Sequence, residues 1–217
     1  MDHSNTATEA KRPSISVPVD KEPKQERSRR TKQLILDVAA AVFAEEGYPA
    51  VSLQAVAERA SLTKGAVYFH FGNKEALATA VVQEHYNRWQ PIVERVRTQR
   101  VSPLERLLAV MDGTAEAFAS DRMVQAGARL QIERSLIAAN LPRPFVGWEA
   151  TLAELIEDAR EAGQLRADTD PAALARVIVS AFFGMQHISD VLSGRADLMQ
   201  RYAEMRDVLF KGFITTP

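Results

Sequence analysis

The sequence predicts an all-α protein: a small N-terminal head built on a helix-turn-helix unit, then a larger C-terminal helical bundle. Three observations carry this. Apolar residues recur at three- and four-residue spacing through most of the chain after residue 26. No segment alternates with the two-residue period of a strand, and no internal repeat stands out. Residues 52–74, SLQAVAERASLTKGAVYFHFGNK, read as two short helices joined by a tight turn.

Residues 1–25 are polar, hold Pro13, Pro18 and Pro23, and show no periodicity, so a disordered tail is expected. Within residues 21–32, Lys21, Lys24, Arg27, Arg29, Arg30 and Lys32 stand against Glu22 and Glu26. Six cations against two anions give a net charge of about +4, which suits a polyanion. Alone, such a run reads equally well as a solvated tail. Immediately before a helix-turn-helix, Arg27, Arg29 and Arg30 become candidate DNA contacts.

A helix over residues 26–46 places Leu34, Ile35, Val38, Ala39, Val42 and Phe43 on one stripe and ends at Gly47. In the next helix Leu53, Val56, Ala57 and Ala60 form one apolar face. Ser52 is its N-cap, and Ala55 stands where a full capping box would have Glu. Ser61-Leu62 interrupts, and Thr63 caps a second helix with Ala66, Val67 and Phe71 facing inward. The other face carries Lys64, Gly65, Tyr68 and His70, with Lys74 just beyond. In a helix-turn-helix this second helix enters the major groove.

Phosphate contacts give affinity and base-edge contacts give sequence choice. Lys64 lies where side chains reach bases, and Gly65 lets the backbone approach the duplex. Tyr68 suits a thymine methyl or a phosphate, or alternatively packs in the head core. Phe69 is a candidate contact, although Phe69 and Phe71 are expected to pack in that core more than to touch DNA. Ser52 and Thr63, at helix starts, add hydroxyls beside free backbone N–H groups.

A long helix over residues 73–100 is expected next, kinked at Pro91 and linking head to bundle. Pro103 opens a helix through residue 120, with Leu104, Leu107, Leu108, Met111 and Phe118. Another covers residues 123–138. Leu141-Pro142-Arg143-Pro144 is a loop, and a helix over residues 145–162 ends at Gly163. Asp170-Pro171, a cap followed by proline at the first helical position, opens a helix to residue 192. Gly194 breaks it, and residues 197–213 form the last.

The run Thr63-Lys64-Gly65-Ala66-Val67-Tyr68-Phe69-His70-Phe71, followed by Asn73-Lys74-Glu75-Ala76-Leu77, resembles the DNA-binding signature of the TetR family of one-component repressors. Leu34-Ile35, Ala39, Phe43 and Gly47-Tyr48 fit that family's first helix. The resemblance is strong over residues 27–82 and weaker afterwards. Ser61 departs from it, standing where the family often has Gly; a left-handed backbone there costs a non-Gly residue about 1 kcal/mol.

The resemblance implies a DNA-binding domain over residues 26–72 and a ligand-binding and dimerisation domain over residues 73–217. It implies that His70 and Lys74 contact phosphates, although His70 is also readable as an ordinary surface histidine. It implies a homodimer in which the last two helices pair with their copies. The apolar residues there are Ala173, Leu174, Val177, Ile178, Ala181, Phe182, Leu198, Tyr202, Met205, Val208, Leu209 and Phe213. A purely intramolecular core is the other reading of them. A twofold dimer reads pseudo-palindromic operator DNA.

Pro144-Phe145-Val146-Gly147-Trp148 resembles the matching segment of the γ-butyrolactone receptors, a TetR subgroup of Streptomyces and relatives. That implies a small lipophilic autoregulator as ligand, control of antibiotic biosynthesis, and Phe145 and Trp148 at the ligand pocket. A tryptophan filling the core is the alternative. Gln131, Thr151 and Gln186 are polar groups on otherwise apolar helices, and Tyr86 offers a hydroxyl. Each is expected to bond either a ligand or a neighbouring helix. Arg129, facing inward, would favour an acidic ligand. A TetR-like sensor of drugs or lipids, controlling an efflux or metabolic gene, is the alternative function.

Composition bounds the rest. The 217 residues include no cysteine, so no disulfide or thiolate site is available. No uninterrupted apolar run approaches ~18 residues, and the N-terminus lacks the apolar core of a signal peptide. A cytoplasmic protein without membrane association is expected. No nucleophile elbow, HExxH spacing or phosphate loop appears, so neither enzyme activity nor a cofactor or metal is expected.

Overall fold

The computed structural model describes residues 24–214. Lys21 and most of the expected tail lie outside the described residues; Lys24 and Gln25, counted with the tail, belong to the first helix. Among the described residues there are ten α-helices and no strand, only an isolated bridge between Leu165 and Ile214.

The head consists of α1 (Lys24–Ala50), α2 (Leu53–Arg59) and α3 (Lys64–Phe71). The helical run of α1 breaks at Gly47, whose φ of 78° and ψ of 169° lie in a region open essentially to glycine. Ile35, Ala39, Val42 and Phe43 are buried as the stripe requires, while Leu34 is exposed. Ser52 caps α2, its hydroxyl accepting the Ala55 N–H at 3.1 Å. Thr63 caps α3 by accepting from Ala66 N at 3.2 Å. Between them Ser61 adopts φ 55°, the left-handed turn expected of it.

The expected long linking helix is two: α4 (Lys74–Asn87) and α5 (Trp89–Arg97), parted at Arg88. Pro91 has no N–H to bond the carbonyl of Asn87, one turn earlier, and the helix parts there, so the interruption expected at Pro91 falls at Arg88. The bundle continues with α6 (Pro103–Ser120) and α7 (Arg122–Ile132). Ser102 and Glu105 close a reciprocal capping box at the start of α6. Residues 123–138 are not one helix, since α7 ends at Ile132 and a 3-10 turn, Arg134–Leu136, replaces its continuation. Then come α8 (Val146–Glu161), α9 (Pro171–Ser193) and α10 (Leu198–Lys211). Asp170 caps α9 by accepting from Ala172 N and Ala173 N, and Gly194 ends it in a left-handed conformation.

Two apolar cores form. One joins the head to α4 and α7, bringing Met123, Ala126 and Leu130 against Ile35, Phe43 and Leu77. The other fills the bundle around Phe118, Ile156, Ile178 and Phe182. Tyr86 packs against both.

By length and composition α9 is able to cross a membrane, with mean hydropathy 1.3 over 18 residues. In the fold α9 packs against α8 and α10 and buries Leu174, Ile178 and Phe182.

The apolar residues of the last two helices split between two faces. Leu174, Ile178, Phe182, Leu198 and Tyr202 belong to the bundle core. Val177, Ile188, Val191 and Leu192 of α9, with Met199 and Val208 of α10, are exposed. Asp112 of α6 anchors α10, accepting from Tyr202 Oη at 2.5 Å and Arg206 Nη1 at 2.8 Å.

Candidate functional site

The turn and caps aim α3 outward. Val67 and Phe71 are buried, leaving Lys64, Gly65, Tyr68 and Phe69 exposed. Phe69 is 82% exposed, so its expected packing in the head core is corrected: it follows Tyr68 around the helix onto the open face. Tyr68 is likewise 44% exposed. Lys64 Nζ lies 5.5 Å from the Tyr68 ring centre, and His70 meets Phe69 edge-on at 5.2 Å. A Cβ on Gly65 would meet nothing nearer than Thr63 Oγ1 at 3.9 Å. The protein's own packing thus has no need for glycine there; the space it leaves faces outward.

Lys74 is tethered. Its ammonium sits 4.2 Å from the Tyr48 ring centre and donates to Pro49 O at 3.3 Å, and partial burial lowers its pKa. Tyr48 donates to Glu75 at 2.9 Å, and burial first, then that carboxylate, pushes its phenol up to about 12. Arg27, Arg29 and Arg30 are exposed at the start of α1, with Arg29 and Arg30 paired to Glu26. They share the exposed surface of the head with the α3 residues.

The bundle holds a cavity of about 300 Å³ lined by Tyr86, Trp89, Gln90, Val93, Phe145 and Trp148, with Gly147 and Thr151. Glu94 and Arg97 stand among its lining residues. Four of the six sequence candidates, Tyr86, Phe145, Trp148 and Thr151, therefore meet. Gln131 joins them through Tyr86, donating to its hydroxyl at 3.0 Å and to Pro142 O at 3.3 Å. Burial raises the Tyr86 pKa. Phe145 takes φ 70° at the entry to α8 and packs edge-on against Phe183 at 4.4 Å.

Gln186 does not join this group. Its amide donates to Phe183 O at 3.3 Å, and it lines a separate cleft with Arg122, Arg129 and Arg195. Arg129 does not face the cavity either; it reaches the backbone of α1. In both cases helical spacing admits two buried faces, and the packing partner selects one.

Trp89 is the principal lining residue that sequence reasoning missed. It stacks on Phe118 at 5.7 Å and meets Trp148 edge-on at 5.1 Å. Tyr86, Gln90, Val93 and Arg97 recur at helical spacing, a stripe readable as a wall only once its facing is known. Trp89 Nε1 and Gln131 Oε1 are buried with no hydrogen-bond partner among the described residues.

A head that exposes a basic and aromatic recognition helix, sharing a core with a bundle that holds a partly open, ligand-sized cavity, defines a transcriptional regulator of the helix-turn-helix class. Residues 35–81 match the family of bacterial regulatory proteins, tetR family, and residues 101–215 match the tetracyclin repressor-like C-terminal domain. The chain belongs to the TetR family.

Its relatives include the A-factor receptor protein of Streptomyces griseus, 37% identical over 84% of this chain and 63% of that receptor. The chain thus spans somewhat under two thirds of that relative's length. A solved structure described as the molecular basis for control of antibiotic production by bacterial hormones is 52% identical. The match covers 86% of this chain and 98% of that one, with a TM-score of 0.80. A γ-butyrolactone receptor (ArpA-like protein) is 26% identical over 88% of this chain and 91% of its own, with a TM-score of 0.74.

Proposed function

We propose that the protein is a cytoplasmic homodimeric repressor that binds pseudo-palindromic operator DNA and is released by a small lipophilic signalling molecule of butyrolactone or furan type, controlling antibiotic or secondary-metabolite genes. One observation carries this reading. The cavity is walled by Tyr86 and Trp89, and Tyr86 lies on α4, the helix continuous with the core of the head. A molecule that enters the cavity therefore touches the element that positions α3.

The cavity's chemistry supports the ligand class. Its walls combine the rings of Tyr86, Trp89, Phe145 and Trp148 with polar groups at Gln90, Glu94, Arg97 and Thr151, a set that suits a small effector carrying both apolar surface and polar groups. Trp89, a lining residue, holds a buried Nε1 without a partner among the described residues, and Gln131, bonded to Tyr86 behind the wall, holds a buried Oε1 in the same state. Relatives described as an A-factor receptor and a γ-butyrolactone receptor favour this reading over a general drug or lipid sensor. The exposed apolar residues of α9 and α10 form the surface for a second copy.

The release step requires that ligand bind better to a state in which the heads no longer match operator spacing; the coupling equals that difference in affinity. The test is fluorescence anisotropy on operator DNA with synthetic γ-butyrolactones, alkylfuran carboxylic acids and generic hydrophobic drugs as competing effectors. Release by the first two classes, with the dimer intact, is the expected result. Release by drugs alone turns the assignment to the alternative sensor. Binding of a lactone or furan with unchanged operator affinity refutes the mechanism.

Trp148→Ala removes the ring that closes the cavity against Trp89. Effector affinity is expected to fall at least about 10-fold, with operator affinity in its absence unchanged. Titration of the remaining tryptophan fluorescence measures both.

On the DNA side, Lys64→Ala is expected to weaken operator binding about 10- to 100-fold and to relax choice at one base position. Lys74→Ala should weaken all sequences alike and flatten the salt dependence. Equal wild-type affinity for operator and scrambled DNA would dismiss sequence reading altogether.

A further inference from the structure

The junction between head and bundle contains a polar device on α7. Where α1 breaks at Gly47, the carbonyls of its last regular turn lose their intrahelical partners. Arg129 supplies them from 85 residues away: its Nη1 donates to Ala44 O at 2.9 Å and to Glu45 O at 3.1 Å. Glu133, one turn later at the C-cap of α7, accepts the Tyr48 N–H at 2.6 Å and Arg129 Nε at 3.2 Å. A Cβ on Gly47 would lie 2.6 Å from Glu133 Oε1 and 2.8 Å from Arg129 Nη2, so only glycine admits the pair so close.

This contact differs in kind from the apolar packing around it. Apolar burial is non-directional, so of itself it favours contact without specifying hydrogen-bond distances and angles. Hydrogen bonds to fixed backbone atoms hold one distance and one angle, and charge-assisted bonds from a planar guanidinium hold them most tightly. Both side chains are partly buried, 31% and 20% exposed, which shields the pair from the screening that weakens surface ion pairs.

We infer that Arg129 and Glu133 are positioning residues for DNA binding: they clamp the end of α1 and fix the angle at which the head leaves the bundle. In a dimer that angle sets the separation and rotation of the two recognition helices. The inference rests on the reading of the chain as a dimeric operator-binding protein. Gln131, between the two clamp residues in sequence, reaches the other way to Tyr86 at the cavity. The same turn of α7 thus grips the head and touches the cavity wall.

The test is strictness toward operator spacing. An operator is first selected from random DNA by the wild-type protein, then rebuilt with one or two base pairs inserted at its centre. Each insertion moves one half-site by about 3.4 Å and turns it by about 34°. Rigidly held heads are expected to lose about 100-fold in affinity on insertion. For Arg129→Met and Glu133→Ala the insertion penalty should shrink below about 10-fold, with affinity for the uninterrupted operator down about 10-fold, because only a fraction of heads stand at the right angle.

Glu133→Gln keeps an acceptor for Tyr48 N–H and should retain wild-type strictness. A merely structural role would lower affinity for every spacing alike, and Glu133→Gln would show no selective rescue. Helicity and dimer mass establish that each variant is folded. If Arg129→Met is not, Arg129→Lys and Glu133→Ala carry the same comparison. Folded clamp variants with wild-type strictness overturn the inference. A wild type that selects no DNA sequence overturns the underlying operator reading instead.

Discussion

Gly127→Ala is expected to destabilise the protein by about 2–3 kcal/mol and to weaken operator binding in the absence of any effector. Taken alone, alanine in mid-helix is worth about 1 kcal/mol of stability over glycine. Here the sign reverses, because the new Cβ would lie 2.3 Å from both Cβ and Cγ of His85 on α4, and 2.7 Å from its Nδ1. A clash with the Cβ of a neighbour is not relieved by turning a side chain. His85 is also confined, meeting Trp89 edge-on at 5.1 Å and Phe118 at 6.5 Å. The helices themselves must part.

The helix that moves is α4, which packs on the head and carries Tyr86 of the cavity. The substitution therefore acts as a wedge at the junction through which the heads are positioned. Thermal unfolding should report a fall of roughly 5–10 °C for a chain of this size, and anisotropy should report the loss of operator affinity. A variant with wild-type melting temperature and wild-type operator affinity would show that α4 and α7 need not approach so closely.

That contact also marks where the sequence stops being legible. The caps at Ser52, Thr63 and Asp170 are readable because each side chain bonds a backbone group two or three residues on. The inward and outward faces of α3 are readable too, except at Phe69, where aromatic character was a poorer guide than helical position. The candidates Tyr86, Phe145, Trp148 and Thr151 converge, but their convergence depends on Trp89, which carries no local signal of its facing. The break at Arg88 is announced by Pro91 one turn later, although helical spacing does not fix the residue at which the helix parts. Gln186 and Arg129 face elements far away in the chain, and helical spacing alone did not indicate which. Contacts such as Arg129 to Ala44 exist only once two helices remote in sequence have packed.

His85 supplies the second large effect, on stability against pH. It is 4% exposed, and burial depresses its pKa to about 4. A hydrogen bond to Val124 O and the nearby Asp121 carboxylate oppose that shift without cancelling it. Its other ring nitrogen, Nδ1, has no partner among the described residues. The unfolded chain takes up this proton near pH 6.5, the folded chain only near pH 4. Above pH 6.5 both states hold a neutral ring, and the stability gained by burying it is complete. Between pH 6.5 and 4 the unfolded state binds more protons, so stability falls as pH falls, by about 3 kcal/mol in total; below pH 4 this contribution is flat.

Carboxylates titrate in part of the same window, so the wild-type profile alone does not isolate His85. The difference from His85→Gln does. Glutamine stays neutral and keeps a donor for Val124 O, so its unfolding free energy should fall less steeply between pH 6.5 and 4, by about the same 3 kcal/mol. Urea unfolding at half-unit pH steps measures both curves. Parallel profiles would mean that His85 is protonated in the folded protein as readily as in the unfolded chain, and that the α4–α7 contact is wet enough to accept a charge. The wedge argument for Gly127 would then weaken with it, since a contact open to water has room for a methyl group.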